Sequence, residues 1–306
     1  TPIETNRDNQ SEFLTEIQNT EVTPIEPVFV DFSKDMSKGS VAEGIELLYK
    51  KNEINDVTTL TSVFDRGTQS DPRLDLAFDY LGYLGTPTRT AEQIKKELYE
   101  LACYQRLSCG PTQSSIGVSG LDKNVGKAMD IVEDLIFNAQ PDTAILAGLK
   151  SDIFKSRSDS KLSQRACFSA LQKYLFYGPE FIRNTTLTNE QIAALTSDEL
   201  LQAVRDLYTK RHDILYYGPS DETTAKNMIA EHHKISENPE PLERIHPQAR
   251  QVTSSEVFIA PYDANQFYYL QYSDRGEKFN VANDPAVRMF NSYFGSGMGA
   301  IVFQEM

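Results

Sequence analysis

The chain has 306 residues, and 44 acidic against 30 basic side chains give it 14 net negative charges at neutral pH on a composition that is 40% hydrophobic. That length exceeds one ordinary core of about 100–200 residues, so two units, or one unit and part of a second, are expected. The acidic balance and the lack of any Lys/Arg-rich run argue against nucleic-acid and membrane-surface partners, and no apolar run approaches the ~18–20 residues of a bilayer span, so a soluble chain is expected.

Residues 1–40 are polar and carry Pro24 and Pro27, which reads as a linker. The runs IELLYKKN (45–52) and VTTLTSVFD (57–65) are β-branched and aromatic, with Glu53-Ile54-Asn55-Asp56 between them, and predict a hairpin. From Asp71 the period becomes helical: Leu74, Ala77, Phe78 and Leu81 share one face. A second helix starts at Thr90, which with Gln93 makes a capping box. SSIGVSGL (114–121) alternates as a strand does, and Asp122 is expected to cap a helix burying Val125, Ala128, Met129, Val132 and Leu135. Pro141 opens the next helix, with Ile145, Leu149 and Ile153 inside, and another carries Ala170, Leu171, Tyr174 and Leu175. TSDELLQAVRDLYTK (196–210) has a Thr196–Glu199 capping box ahead of a Leu200, Leu201, Val204, Leu207, Tyr208 stripe, and DILYYG (213–218) follows as a strand.

These elements predict an α+β two-layer sandwich over 41–235 with a partly antiparallel sheet. The charged, proline-bearing 236–250 reads as a linker. Beyond it, EVFIAPY and QFYYLQYSD read as strands and PAVRMFNSYF as a helix, so 251–306 looks like the truncated start of a second, similar domain. The chain opens at Thr1 without an initiator methionine and no helix stop signal follows Ile301 and Val302, so both ends read as positions inside a longer protein.

Local chemistry is sparse. His212 opens a strand, His232 and His233 are adjacent and point about 100° apart on a helix, and His246 lies in the linker, so solvated or capping histidines and no metal site are expected. No Gly-x-Ser-x-Gly elbow is present, and Cys103, Cys109 and Cys167 have no neighbour that would lower a thiol pKa; they fit reduced core positions at least as well as one bridge plus a free thiol. The compartment stays open, and the Asn184-Thr-Thr triplet carries little weight as a glycan acceptor. Gly295, Gly297 and Gly299 lie between two helical patterns, which suits a break where helices meet rather than a phosphate loop. The carboxylates of Asp79, Asp122, Glu133, Asp134, Asp198 and Glu199 fit helix starts and solvent faces.

The order of motifs resembles the pitrilysin (insulinase-like, inverzincin) family of zinc metallopeptidases. VFDRGTQSDP leads into a helix ending YLGYLGT, as the family's strand end leads into its zinc helix and Leu-Phe-x-Gly-Thr exit. YLFYGPEF, the stretch from NEQIAALTSDELL to YYGPSD, and YFGSGMGAIVFQEM match later family segments, so the likeness covers about 41–306. It implies the two-layer α/β sandwich of the LuxS and processing-peptidase type. Carried over residue by residue, the family's His-x-x-Glu-His falls on Leu76-Ala77-Phe78-Asp79-Tyr80. Leu76 has no donor atom, Tyr80 is a poor ligand at neutral pH, and Asp79 is one methylene short of the general-base glutamate. The later glutamate ligand falls near Lys150-Ser151-Asp152, and the family's Arg and Tyr that help hold substrate would come after Phe303-Gln304-Glu305, beyond Met306.

The resemblance therefore implies a degenerate, inactive peptidase domain: the non-catalytic half of a clam-like zinc metalloendopeptidase. Zinc and catalysis are expected on an N-terminal half of the same chain or a paired subunit, with peptide as the substrate of the closed chamber, and this chain alone is expected to be inactive. An alternative is a scaffold or interaction protein that keeps a ligand-less peptidase fold.

Overall fold

In the computed structural model, which describes residues 10–27, 29–273, 276 and 279–305, the polar opening stretch holds a short helix α1 (Glu12–Gln18), started by the Ser11 hydroxyl accepting from the Leu14 amide. A hairpin follows, β1 (Ser37–Ala42) and β2 (Ile45–Lys51), turned at Gly44 with φ 75, a left-handed conformation that glycine adopts without strain. Then come β3 (Val57–Phe64), α2 (Leu74–Leu81), α3 (Ala91–Glu100), β4 (Cys103–Cys109), β5 (Ser114–Leu121) and α4 (Asp122–Asn138). The chain continues through α5 (Thr143–Ser160), α6 (Gln164–Thr185), α7 (Asn189–Ala194), α8 (Ser197–Arg205), a 3-10 turn (Asp206–Thr209), β6 (His212–Gly218) and α9 (Glu222–His232). After a long irregular stretch it ends with α10 (Asp284–Gly295) and α11 (Ile301–Glu305).

The six strands form one mixed sheet in the order β1-β2-β6-β3-β5-β4, with only β2 and β6 parallel. The hairpin expected between β2 and β3 is not made, because β6 lies between them. The two strands are two inter-strand spacings apart, roughly 10 Å, and a wide loop bridges them. Asn52 organises that loop: its side-chain oxygen accepts the Ile54 amide at 2.9 Å, its nitrogen donates to the Val57 carbonyl at 2.8 Å, and its own amide donates to Gly218 at the end of β6. β4 is absent from the sequence-based expectations; it is an edge strand that sends Tyr104, Arg106 and Ser108 outward and Cys103, Gln105, Leu107 and Cys109 inward.

One sheet face supplies the core. Ile45, Leu47, Leu60, Phe64, Ile116, Val118, Ile214 and Tyr216 stand on it and pack against buried residues of α2, α4, α8 and α9. The expected α+β two-layer sandwich is what forms. Helix starts follow their caps: Thr90–Gln93, Thr188–Gln191 and Thr196–Glu199 all close reciprocal capping boxes. Asp142, one residue after Pro141, caps α5 by accepting from Ala144 and Ile145. Asp122 does not cap α4; its carboxylate is a cross-link instead, accepting hydroxyls from Thr58 at 2.5 Å, Tyr216 at 3.1 Å and Ser220 at 2.7 Å. α6 breaks at Gly178 (φ 76, ψ 178) ahead of Pro179, where the helical ladder cannot continue.

Past residue 251 the sequence reading and the structure part. The described residues of EVFIAPY and QFYYLQYSD form no strand, and Asp274 lies outside the described residues. Their aromatic side chains lean instead on α6: Phe258 on Tyr174, Tyr268 on Phe168 and Tyr272 on Phe176. The helix expected from PAVRMFNSYF is α10. Gly297, at φ 84, makes the turn between α10 and α11, but a side-chain carbon at Gly295, Gly297 or Gly299 would meet nothing within 4 Å, so the run does not serve close backbone approach.

Candidate functional site

Where the chain leaves β3 it makes a tight crossing. Thr68 and Gln69 donate their amides to the carbonyls of Gly110 and Pro111, and Gly67 sits so close that a Cβ would fall 2.2 Å from the Gly110 oxygen. This turn aims α2. Asp71 anchors its start: the carboxylate accepts from Arg73 Nε at 2.9 Å and Nη2 at 2.8 Å, with Arg66 at 3.3 Å. Burial pushes that carboxyl up, and the hydrogen bonds and charge of Arg73, with Arg66 beside it, hold it below the ordinary carboxylate range.

On α2 the three positions that the resemblance sets against a zinc helix diverge. Leu76 is buried in the core among other apolar side chains. Tyr80 is fully buried; its phenol oxygen accepts the Asp142 amide at 2.7 Å and lies 2.9 Å from both the Asp142 carbonyl and the Ser197 hydroxyl, joining α2 to the starts of α5 and α8. Asp79 faces solvent. The neighbouring α5 positions are equally committed: Lys150 donates to the carbonyls of Ala193 at 2.9 Å and Leu195 at 2.6 Å, closing the end of α7, and Asp152 is exposed. These residues do not form a donor set for zinc, and among the described residues no group of three or more His, Cys, Asp or Glu side chains is placed to hold a metal ion.

The second sheet face is open. Register places Glu46, Leu48 and Lys50 of β2 beside Asp213, Leu215 and Tyr217 of β6, and these beside Val63, Thr61 and Thr59 of β3. Leu215 and Tyr217 are 41% and 40% exposed, and none of these side chains belongs to the core. Toward β5 the face becomes small: a Cβ on Gly117 would fall 2.3 Å from the Leu60 carbonyl, and Ser119 hydrogen-bonds Thr59 at 2.9 Å. The face is polar at one end. Burial, with the charges of Glu46 and Asp65 nearby, raises the Asp213 carboxyl above its ordinary range. A shallow surface of Thr, Ser, Leu and Tyr with unequal charge at its two ends can contact an extended chain through many weak van der Waals and polar contacts.

Two histidines converge, contrary to the sequence reading. His212 and His233 are 4% and 6% exposed, and their Nε2 atoms lie 2.8 Å apart. Glu133, expected on a solvent face, is buried and meets His233 Nδ1 at 2.5 Å, while its other oxygen accepts the Lys234 amide at 2.8 Å. His212 Nδ1 lies 2.9 Å from the Lys210 carbonyl. Burial, with His233 adjacent, lowers the His212 imidazole from 6.5 to about 4, so it is neutral at pH 7. Sequence separations of 21 and 100 residues hid this cluster; the only signal was an uncompensated Glu133 within the apolar stripe of α4. His232 pairs instead with Asp130 at 2.9 Å, and its ring approaches α4 over Gly126, where a Cβ would fall 2.6 Å away. His246 is exposed, and the thiols of Cys103, Cys109 and Cys167 are free, so no disulfide joins these three. Asp134 pairs with Arg89, and Asp198 and Glu199 sit in the first turn of α8.

No protein-family model matches the chain, and no curated protein matches it. Solved structures do. The chain superposes on the peptidase M16 inactive domain from Pseudomonas fluorescens with a TM-score of 0.63, at 14% identity over 89% of this chain and 67% of that one. It superposes on the periplasmic protease PqqL from Escherichia coli with a TM-score of 0.57, at 19% identity over 77% of this chain and 29% of that one. For the ferredoxin protease FusC, in complex with Arabidopsis ferredoxin, the TM-score is 0.61 at 10% identity, over 76% of this chain and 27% of that one. The chain thus spans under a third of the length of these two proteases.

Proposed function

We propose that this chain, whose fold is that of the M16 peptidase inactive domain, is the non-catalytic half of a clam-like zinc metalloendopeptidase, with 41–235 as its degenerate peptidase domain and 236–250 as the linker to a second one. The observation that carries this reading is the state of α2. In the place where the resemblance puts a zinc helix, Leu76 and Tyr80 are core residues and Asp79 is turned away from them. A helix so committed supports the wall of a chamber and no chemistry of its own. Zinc, if held by the other half, would supply the Lewis acid there.

This chain's part is to bind and confine. The open sheet face, with Thr59, Thr61, Leu215 and Tyr217 at its centre, is the surface we assign to the peptide. It offers two threonine hydroxyls beside a leucine and a tyrosine and no deep pocket, so contact is loose and tolerant of sequence. Water leaves the Leu215 and Tyr217 side chains as peptide covers them, at roughly 25 cal/mol for each Å² of apolar surface buried. Partners are accordingly a zinc-bearing half and an unfolded peptide.

The test is chemical-shift mapping with an unstructured peptide of about 25 residues. Perturbations centred on Thr59, Thr61, Leu215 and Tyr217, and weakened at least fivefold in Leu215→Arg, are expected. Perturbations confined to the helical layer, or none at millimolar peptide, would overturn the assignment and favour a scaffold that pairs with protein only.

A further inference from the structure

We propose that Glu133, His233 and His212 form a proton-operated latch that fastens the connecting strap 233–244 to the sheet and releases it when one further proton enters the histidine pair. The Lys210 carbonyl can only accept, so His212 Nδ1 carries the hydrogen, and in the neutral ring Nε2 is left as an acceptor. His233 Nε2 therefore donates to it across 2.8 Å. With Nε2 of His233 protonated, its Nδ1 and Glu133 share one proton over 2.5 Å, whichever of the two holds it. All four ring nitrogens of His212 and His233 are then satisfied. A proton added to His212 Nε2 places two N–H groups face to face between two buried rings, and the contact must open.

The strap is what the contact holds. His233 is its first residue, Lys234 donates to Glu133, and Ile235 packs on the core. Farther along, Glu240 exchanges backbone hydrogen bonds with Thr209 and Arg211 and pairs with Lys210, two residues ahead of His212. Arg244 then reaches Asp65 at the end of β3. The same residues, 209–212, thus receive both the strap and the imidazole's hydrogen bond, so that loss of one loosens the other. Among the described residues no uncommitted counter-charge faces a cationic His212. From α4 comes Glu133, already committed to His233; from the 3-10 turn comes the Tyr208 phenol, which burial keeps protonated. Lys210 turns its ammonium to Glu240, Lys234 lays its own over the Phe137 ring, and His232 is paired with Asp130. β3 and β2 present Phe64 and Ile45.

Opening takes one proton from solvent onto His212, where an N–H bond forms; no other covalent bond changes, and only hydrogen bonds are lost. The strap leads toward residue 250, whose amide bonds Phe176 O beside the Gly178 break in α6, so release at 233 frees the connector at the end opposite that anchor.

The experiment is amide hydrogen exchange on the whole chain, corrected for intrinsic chemistry. Between pH 6.5 and about pH 5, amides of 233–240 should open about tenfold more while β5 amides keep their protection. In His212→Gln, whose side-chain oxygen can accept from His233 and cannot take a proton, the increase should vanish. Proton NMR of the wild-type imidazoles provides a check that needs no variant: His212 should titrate together with the strap opening. Equal opening in strap and β5, strap opening unchanged with pH, or an unaltered increase in His212→Gln would each overturn the latch.

Discussion

Two regions of this chain carry the same sequence pattern, strand, strand, helix, and end in different states. Between residues 37 and 233 the pattern closes into a six-stranded sheet with a continuous core. Over the described residues of 251–305 it forms α10 and α11 with no strand, and Ala300 alone is buried. A helix satisfies its backbone within itself, whereas a strand needs neighbours, so the same alternation of apolar residues becomes sheet only where partner strands exist. β2 shows the point from the other side: its partners are β1, next to it in sequence, and β6, 160 residues on.

The contrast can be broken with substitutions. Leu200, fully buried under α2 and α4, should cost about 2–5 kcal/mol when changed to Ala, read as a lowered urea midpoint at constant m. A loss below about 1 kcal/mol would mean that the helical layer is not packed as described. The pH dependence comes next. His212 binds a proton near 6.5 when unfolded and only near about 4 when folded, so between these values the unfolded state holds more protons and stability falls as pH drops. The fall should be on the order of 2–3 kcal/mol, and largely absent in His212→Gln. Thr196→Ala, which removes one side of the α8 capping box, should cost about 1 kcal/mol. Smallest of all, Phe267→Ala in the strandless region, where the ring is 86% exposed, should stay within about 0.5 kcal/mol. A loss as large as that of Leu200→Ala would erase the distinction between the regions.

Much of the sheet unit was legible. Capping residues and 3.6-residue periodicity marked α2, α3, α4, α5 and α8, because both signals are local. Strand order was not, since alternation tells which face is buried and nothing about neighbours. β4 escaped because an edge strand with Tyr104, Arg106 and Ser108 on its outer side lacks an apolar run. Of the candidate site, the resemblance singled out Leu76, Asp79 and Tyr80, none of them a histidine or glutamate, but the use to which Tyr80 is put, bridging α5 and α8, was not legible. The histidines were misjudged for the same reason that hid the strand order. His212, His233 and Glu133 meet only through tertiary packing, and the neutral reading of each alone as a surface group was locally sound.

The most direct test of the account is peptide cleavage by the purified chain with added zinc, with and without a chelator. The account predicts no cleavage in either condition, because Leu76 and Tyr80 are held in the core and cannot turn out to bind metal. Cleavage that zinc supports, the chelator abolishes and Asp79→Ala removes would contradict it.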